Sequence, residues 1–456
     1  MKKSLSFIAL TFSFSSMAFA GGIVTNTNQT AHFLRNPARG ASTEIDAAFE
    51  NPAGLTFLTN GFHLSLSNQG AFQTRKITST FAPFAMNNEG NSTKTYKGVT
   101  NSPVIPSLQF VYKKDKIALS AHISVVGGGG KVTFDEGLPS FESQVAMIPL
   151  ALTANGIPTT AYAMDCSMEG NSYIIGTQLN GSYKISDNLS AAVGVRVSIA
   201  KSGYKGHLTD IQINPKHPVL NPDGAMMSAP LFFTYAGMTA YAEKTKDQQI
   251  DVKQSGWGIA PILSVNYHIA GLNLAAKYEF KTSIDLENKT TIDNTGMFPD
   301  GAKTANDIPA LLSLGASYDL SEKWNVSGGY HHFFDSDADM ADDKQQYIDG
   351  GINEALLGSE YKLNDRFLIS AGGQYTKTKV TDAYQSDMSY SLDSYSVGMG
   401  GAINITPNIR LNLAYFFTIY DKWTKNSTAY NGTALAGTDT YNRTNNDFGI
   451  GIDYKF

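Results

Sequence analysis

From about residue 61 to the end of the chain, apolar and polar positions alternate with a period of two, the signature of strands that are wet on one face only. The tail FGIGIDYKF is the clearest instance. Phe448, Ile450, Ile452, Tyr454 and Phe456 fall on one face, and Gly449, Gly451, Asp453 and Lys455 on the other. A long apolar stripe is a hazard in water and a requirement against lipid. The same grammar recurs in SLQFVYKKDKIALSAHISV, with a turn near Lys114-Asp115, and around Ser186-Asp187-Asn188. It recurs again in ILSVNYHIAGLNLAAKYEF, LLSLGASYDLSEKWNVSGGY, EALLGSEYKLNDRFLISAGGQY and VGMGGAINITPNIRLNLAYFF. With one strand at 61–75 and the tail, the pattern predicts fourteen strands joined by six short turns and seven longer loops. That is an all-β chain forming a 14-stranded antiparallel transmembrane β-barrel, with the long loops on one side.

Aromatic placement agrees. Tyr112, Tyr183, Tyr267, Tyr318, Tyr361 and Tyr454 each close an even-numbered strand, and Trp324 and Phe367 lie just past two turns. Stacked in a barrel, they form a ring at one lipid–water boundary, where an aromatic with a wet hydroxyl is favoured. Composition fits many strands and tight turns: 42 Gly, 23 Tyr and 25 Phe, with only 16% charged residues.

Residues 1–20 read as a secretory signal peptide: a basic start at Lys2 and Lys3, an apolar run, and Ala18-Phe19-Ala20 as a small-x-small cleavage site. Removing the two lysines takes the net charge from -5 to -7, which excludes the basic stripe a nucleic-acid partner needs. No run of about 18 apolar residues follows, so no membrane helix is expected. The single cysteine, Cys166, excludes an internal disulfide and reads as an incidental loop residue.

The stretch TNQTAHFLRNPARGASTEIDAAFENPAGLTFL holds two Asn-Pro-Ala turns, Asn36-Pro37-Ala38 and Asn51-Pro52-Ala53, the second followed by Gly54. Proline fixes φ, and the asparagine before it is pushed out of the helical region while its side chain can bridge its own turn. With the first strand that follows, the fourteen strands, and IPSLQFVY leading into the third strand, the chain resembles the FadL-like family of outer-membrane transport proteins. The resemblance spans the mature chain. It implies a division into signal peptide 1–20, a hatch at 21–60 that plugs the lumen, and a barrel at 61–456. Asn51, Pro52, Ala53 and Gly54 match the hatch motif; Asn36 and Pro37 form a second copy that is either a plain turn or a functional one.

Further candidates follow. VAMIPLALTANGIPTTAYAM, residues 145–164, is the most apolar stretch outside the strands, and an exposed apolar patch is costly unless it captures something. The resemblance places a capture groove here, with Met147, Ile148, Leu150 and Leu152 as acyl-chain contacts; the alternative is that the segment packs down on other loops. Arg196 and Lys277 lie between apolar neighbours and so point inward near mid-barrel. They are candidates either for a ligand carboxylate or for a lumenal network with Glu279. Gly127, Gly128, Gly129 and Gly130 interrupt the third strand and mark either a bulge or a flexible strand end. The resemblance implies a kinked third strand that opens the wall for lateral exit. DSDADMADD, 335–343, beside His331-His332, lacks the glycine and closing glutamate of a calcium loop, so a solvated acidic loop is expected and no metal.

No nucleophile–base motif is present, which argues against an enzyme. The expected function is passive import of a hydrophobic small molecule, a long-chain fatty acid or similar, across the bacterial outer membrane without a cofactor. Import of aromatic hydrocarbons, a surface scaffold or adhesin, and a barrel hydrolase are the rivals. Outer-membrane lipid, lipopolysaccharide and the barrel-assembly machinery are the expected partners, and no nucleic acid.

Overall fold

The computed structural model describes residues 24–456, so the expected signal peptide and its cleavage site lie outside the described residues. The described chain forms fourteen antiparallel staves: β1 (Gly61–Phe81), β2 (Thr93–Lys114), β3 (Ile117–Phe134), β4 (Tyr162–Lys184), β5 (Leu189–Ile213) and β6 (Gln248–Ile269). β7 is interrupted (Leu272–Glu279, Asp285–Asp293), as is β8 (Lys303–Ala305, Leu311–Asp319). β9 (Trp324–Phe333), β10 (Asn353–Lys362), β11 (Phe367–Lys377) and β12 (Ser394–Thr406) follow, then β13 (Ile409–Tyr420, Trp423–Ser427) and β14 (Gly437–Lys455). β14 returns to β1 over a register running from His63 opposite Lys455 to Phe81 opposite Gly437. That pairing closes the sheet and removes its edges, the condition for strands to cross lipid.

The short turns expected from the sequence all lie at one end. The strands exceed the sequence-based segments at the other, because alternation continues into the loops with the apolar face turned inward. β5 is 25 residues long, where a lipid-crossing strand needs about 9–11. Cys166 is thereby moved from the expected loop into β4, where it is buried. The tail behaves as the pattern requires: Phe448, Ile450, Ile452, Tyr454 and Phe456 are exposed on the outer face, while Asp447 and Asn445 are buried inside. Tyr183, Tyr267, Tyr318, Tyr361, Trp324 and Phe367 are likewise exposed outward at the short-turn end, and Tyr112 is half-buried beside Phe62 at 4.7 Å.

Residues 24–58 run inside the wall, almost wholly buried. They form α1 (Ala31–Arg35), capped by Thr30 Oγ1 accepting from the Phe33 amide, then α2 (Ala47–Glu50) and a 3-10 turn at Pro52–Phe57. Above them the long loops carry α3 (Pro139–Ala154), α4 (Ala229–Tyr235) and α5 (Thr239–Lys244).

The outer stripe makes a graded prediction. Ile450→Arg, about four residues in from the rim, should destabilise the barrel by ~2–4 kcal/mol, and Tyr454→Arg at the rim by only ~0–1. Urea unfolding in lipid vesicles measures both; equal costs would place the stripe away from lipid.

Candidate functional site

The interior is organised by how the N-terminal segment meets the wall. Around the first Asn-Pro-Ala turn, the facing wall positions are glycines. A Cβ on Gly358 would strike Asn36 Oδ1, one on Gly372 would strike Pro37 Cδ, and one on Gly398 would meet the Leu34 carbonyl at 2.3 Å. The segment packs directly on the backbone of the wall here, which only glycine permits. Asn36 Oδ1 meanwhile accepts from the Ala38 amide at 3.2 Å and holds the turn. The second turn meets a polar wall instead. Asn51 Nδ2 donates to Ser42 O and to Asn266 Oδ1, and Asn51 Oδ1 accepts from Ser264 Oγ at 3.1 Å. Ser182 Oγ donates to Pro52 O and Ser190 Oγ to Ala53 O, both at 2.7 Å. Gly54 is needed because a Cβ there would sit 2.4 Å from Ser42 O.

Between the two turns lies an ionic knot that the sequence pattern did not reveal. Arg39 binds Asp46 at 2.6 Å and Glu44 at 2.7 Å, Arg35 binds Glu360, and Arg410 reaches Glu44 at 2.6 Å. His32 Nε2 lies 3.1 Å from Asp453. The partners come from β10, β13 and β14, so no local window of sequence shows them together.

Arg196 and Lys277 do face inward, as the alternation predicts, and both are buried. They converge on Glu279, with Lys277 at 2.7 Å, and both cations flank the ring of Phe49, at 4.9 and 4.5 Å from its centroid. Lys277 Nζ also donates to Phe49 O at 2.8 Å. Of the two sequence alternatives, the geometry is that of the network: these charges are engaged by Glu279 and by the N-terminal segment. A different cation is less occupied. Arg75 on β1 is 2% exposed, bonds Gln73 Oε1 through Nε at 3.0 Å and sits 5.6 Å from the Tyr390 centroid. Its register partner on β14 is Arg443. Among the described residues its Nη2 has no hydrogen-bond partner and it forms no ion pair. The sequence signal was there, since Arg75 is inward by alternation, but its approach to Arg443 depends on barrel closure.

The glycine tract lies within β3, which stays paired to β4 as far as Phe134, with irregularities between Val125 and Gly127 and between Gly128 and Gly130. The flexible-end alternative is therefore corrected: the tract is a double bulge in mid-strand. Gly128 and Gly130 have φ of +70° and +111°, which side chains rarely adopt. On the other side, pairing with β2 stops at Thr100–Val132 and resumes at Ser107–Ser124. The unpaired stretch of β2 contains Pro103 and Pro106, which offer no amide donor. The N-terminal segment takes the place of the missing neighbour. Asn26 N donates to Val126 O at 2.8 Å, Asn26 Nδ2 to Gly128 O at 2.6 Å, and Gln29 Nε2 to Val125 O at 3.2 Å.

Residues 145–164 divide between α3 and the start of β4. Ile148 and Leu152 are buried in a large cluster with Phe84, Phe134, Phe232 and Tyr430, and Met147 packs against it. Leu150 is 38% exposed and points away from that cluster. Three of the four expected contacts thus pack inward, because the tall strands bring an apolar wall up to meet them. Met86, Met164, Met227, Met238 and Met388 edge the same cluster. The α3 start is tied to a neighbouring loop by the Ser140 amide donating to Asp387 Oδ2 at 2.8 Å.

The aspartates of 335–343 disperse. Asp335 Oδ2 accepts from the Ile352 amide, Asp339 lies 3.4 Å from Lys281, and His331 and His332 bond Glu354 and Asn353. Among the described residues no group of three or more His, Cys, Asp or Glu is placed to hold a metal.

Packing on glycine makes a direct prediction. Gly398→Val should push Leu34 off the wall while the strand itself accommodates valine. Conductance in planar bilayers should rise, and residues 24–58 should become open to protease; unchanged conductance in a folded variant would refute the packing argument.

Comparisons with known proteins agree with this architecture. Residues 289–456 match the outer membrane protein beta-barrel domain family. Outer membrane protein P1 of Haemophilus influenzae is 23% identical over 392 residues, covering 79% of this chain and 77% of that one. A Pseudomonas aeruginosa FadL homologue superposes with a TM-score of 0.65 at 15% identity, covering 96% of this chain and all of the other. The Pseudomonas putida toluene transporter TodX gives 0.59 at 18% identity, covering 96% of this chain and all of the other. Closed fourteen-stave topology, an outward apolar belt and these likenesses together make the chain a bacterial outer-membrane β-barrel of the FadL-like fold.

Proposed function

We propose that this barrel is a passive importer of hydrophobic small molecules, with long-chain fatty acids as its cargo. The observation that carries the reading is the broken β2–β3 ladder, where residues 26–29 of the N-terminal segment bind the carbonyls of Val125, Val126 and Gly128 and the Ser102 side chain of β2 reaches Gly129 O. A wall held shut by a detachable segment can be opened without breaking the barrel. In this reading residues 21–60 act as a hatch, docked through Asn36-Pro37 and Asn51-Pro52-Ala53-Gly54. Cargo enters at the methionine-rich cluster around Met147, Ile148, Leu150 and Leu152, whose soft side chains suit varied apolar shapes. It leaves sideways at Gly127, Gly128, Gly129 and Gly130. Lateral exit keeps an acyl chain out of water, worth about 0.8 kcal/mol per methylene. No step needs covalent chemistry or a cofactor. Outer-membrane lipid, lipopolysaccharide and the assembly machinery are the partners this setting implies.

Arg75 takes over the carboxylate role that Arg196 and Lys277 cannot fill while bound to Glu279. A second reading, import of neutral aromatic hydrocarbons, is favoured by the aromatic lining of the cluster and by the likeness to a toluene transporter. One substitution separates them. Losing a charge-assisted hydrogen bond costs ~1.5–3 kcal/mol, so Arg75→Gln should weaken oleate binding by about tenfold or more and leave toluene binding unchanged. Equal effects on both, or on neither, would remove Arg75 from the site.

The exit route has its own test. Ser102 lies on the β2 side of the break, its Oγ 3.2 Å from Gly129 O. Ser102→Trp fills the break without asking a side chain to adopt the φ of Gly128. Oleate uptake by cells should fall sharply while binding to the purified variant persists; full uptake by a folded variant would eliminate lateral exit here.

A further inference from the structure

The outer wall carries a feature that import does not use. On β5 the outward positions Val193, Val195, Val197 and Ile199 are exposed and apolar, as lipid contact requires. The next outward positions are Lys201, Gly203 and Lys205. The neighbouring staves change character at the same level: on β6, exposed Trp257 gives way to Ser255 and Lys253. Register places Gly203 opposite Lys253 on β6 and opposite Asn171 on β4, and Lys253 opposite Lys289 on β7. Gly203, without a side chain, floors a recess of about 590 Å³ whose rim includes Lys201, Lys205, Lys253 and Lys289. All four lysines are exposed, and among the described residues none of them forms an ion pair. The acidic groups at the recess are Glu169, bound by Lys131 at 2.9 Å, and Asp251.

Height fixes the environment. Lys201 is twelve residues along β5 from Leu189 at the short-turn end. At about 3.3 Å per residue and a tilt near 40°, that is roughly 30 Å, just beyond an apolar band ~25 Å tall. Tyr173, opposite Lys201, and Trp257, one row below and opposite Ile199, supply the interfacial aromatics. Short turns face the periplasm in such barrels, so the lysines stand at the headgroup level of the outer leaflet. Lysine is a compact point charge suited to phosphate, and its stem lets the ammonium reach the polar zone. Import of a neutral or singly charged apolar cargo through the lumen has no use for four unpaired cations outside the wall.

We infer that this face of β4–β7 binds the phosphate groups of a phosphorylated glycolipid of the outer leaflet, seated in the recess over Gly203. The inference rests on lipopolysaccharide as the surrounding lipid, named above, and is independent of the cargo.

The test uses the full-length folded protein in detergent, titrated with bis-phosphorylated lipid A and with its dephosphorylated form, and bound lipid is counted by native mass spectrometry. The wild type should bind the phosphorylated form about tenfold or more tightly. The variant with Lys201, Lys205, Lys253 and Lys289 all changed to Gln should lose that preference, while the corresponding Arg variant keeps it. If the Gln variant does not fold, judged by heat-modifiable gel migration, the pair Lys253→Gln and Lys289→Gln carries the test with a smaller loss expected. A folded Gln variant that retains the preference overturns the site but leaves the lipid as a partner. A wild type without any preference overturns both. Inorganic phosphate occupying the wild type as tightly as lipid A would assign a free-anion site and overturn the lipid. Loss of oleate binding in the Gln variant would place the lysines on the import path and equally overturn the proposal.

Discussion

The structure depends on one constraint: in a hydrocarbon layer every backbone polar group must find its partner within the protein. Closing β14 on β1 satisfies that for the wall as a whole. It makes any interruption of the ladder conspicuous, because the freed groups need partners from elsewhere. Between β2 and β3 those partners are Asn26 and Gln29 for Val125, Val126 and Gly128, and the Ser102 side chain for Gly129. The N-terminal segment is thus a substitute for a strand at one place.

The same segment has almost no core of its own, since α1 and α2 are five and four residues long. Isolated helices of that size are not stable in water. The barrel supplies what is missing by two means. On β10–β12 it withdraws side chains, leaving Gly358, Gly372 and Gly398 so that the chain lies directly on the wall. On β4–β6 it extends Ser182, Ser190, Ser264 and Asn266 to accept and donate around Asn51-Pro52-Ala53. Close contact gives shape and hydrogen bonds give position. Apolar side chains add to both: Phe33 and Leu34 pack with Leu356 and Phe416, and Ile45 and Leu55 with Val111 and Ala118.

Charge is distributed on the same principle. Buried ions are tolerated when each meets a partner with good geometry, and removing one partner strands the other. Arg39 with Asp46, and Lys277 with Glu279, satisfy that rule and tie the segment to the wall. Arg75 does so only in part. The difference between a satisfied and an incompletely satisfied buried cation is a sharper guide to a ligand than inward orientation alone, which Arg196, Lys277 and Arg75 share.

The local and periodic features were legible in the residues alone. Period-two alternation located the short turns, the outward stripe ending at Phe456 and the aromatic ring, because each depends on a residue and its neighbours two positions away. It located the glycine tract and both Asn-Pro-Ala turns for the same reason, as backbone chemistry written in adjacent residues. Tertiary structure alone decided what those features meet. Whether Gly127 to Gly130 was a bulge or a fraying end depended on β4 continuing past it and on β2 letting go, with Pro103 and Pro106 in the freed stretch. Whether Arg196 was free or engaged depended on Glu279, 83 residues away, and the Arg35–Glu360 contact spans 325. Alternation says which face a side chain is on. Only closure of the barrel says which strands share that face, because register and neighbour identity arise from pairing over the whole chain.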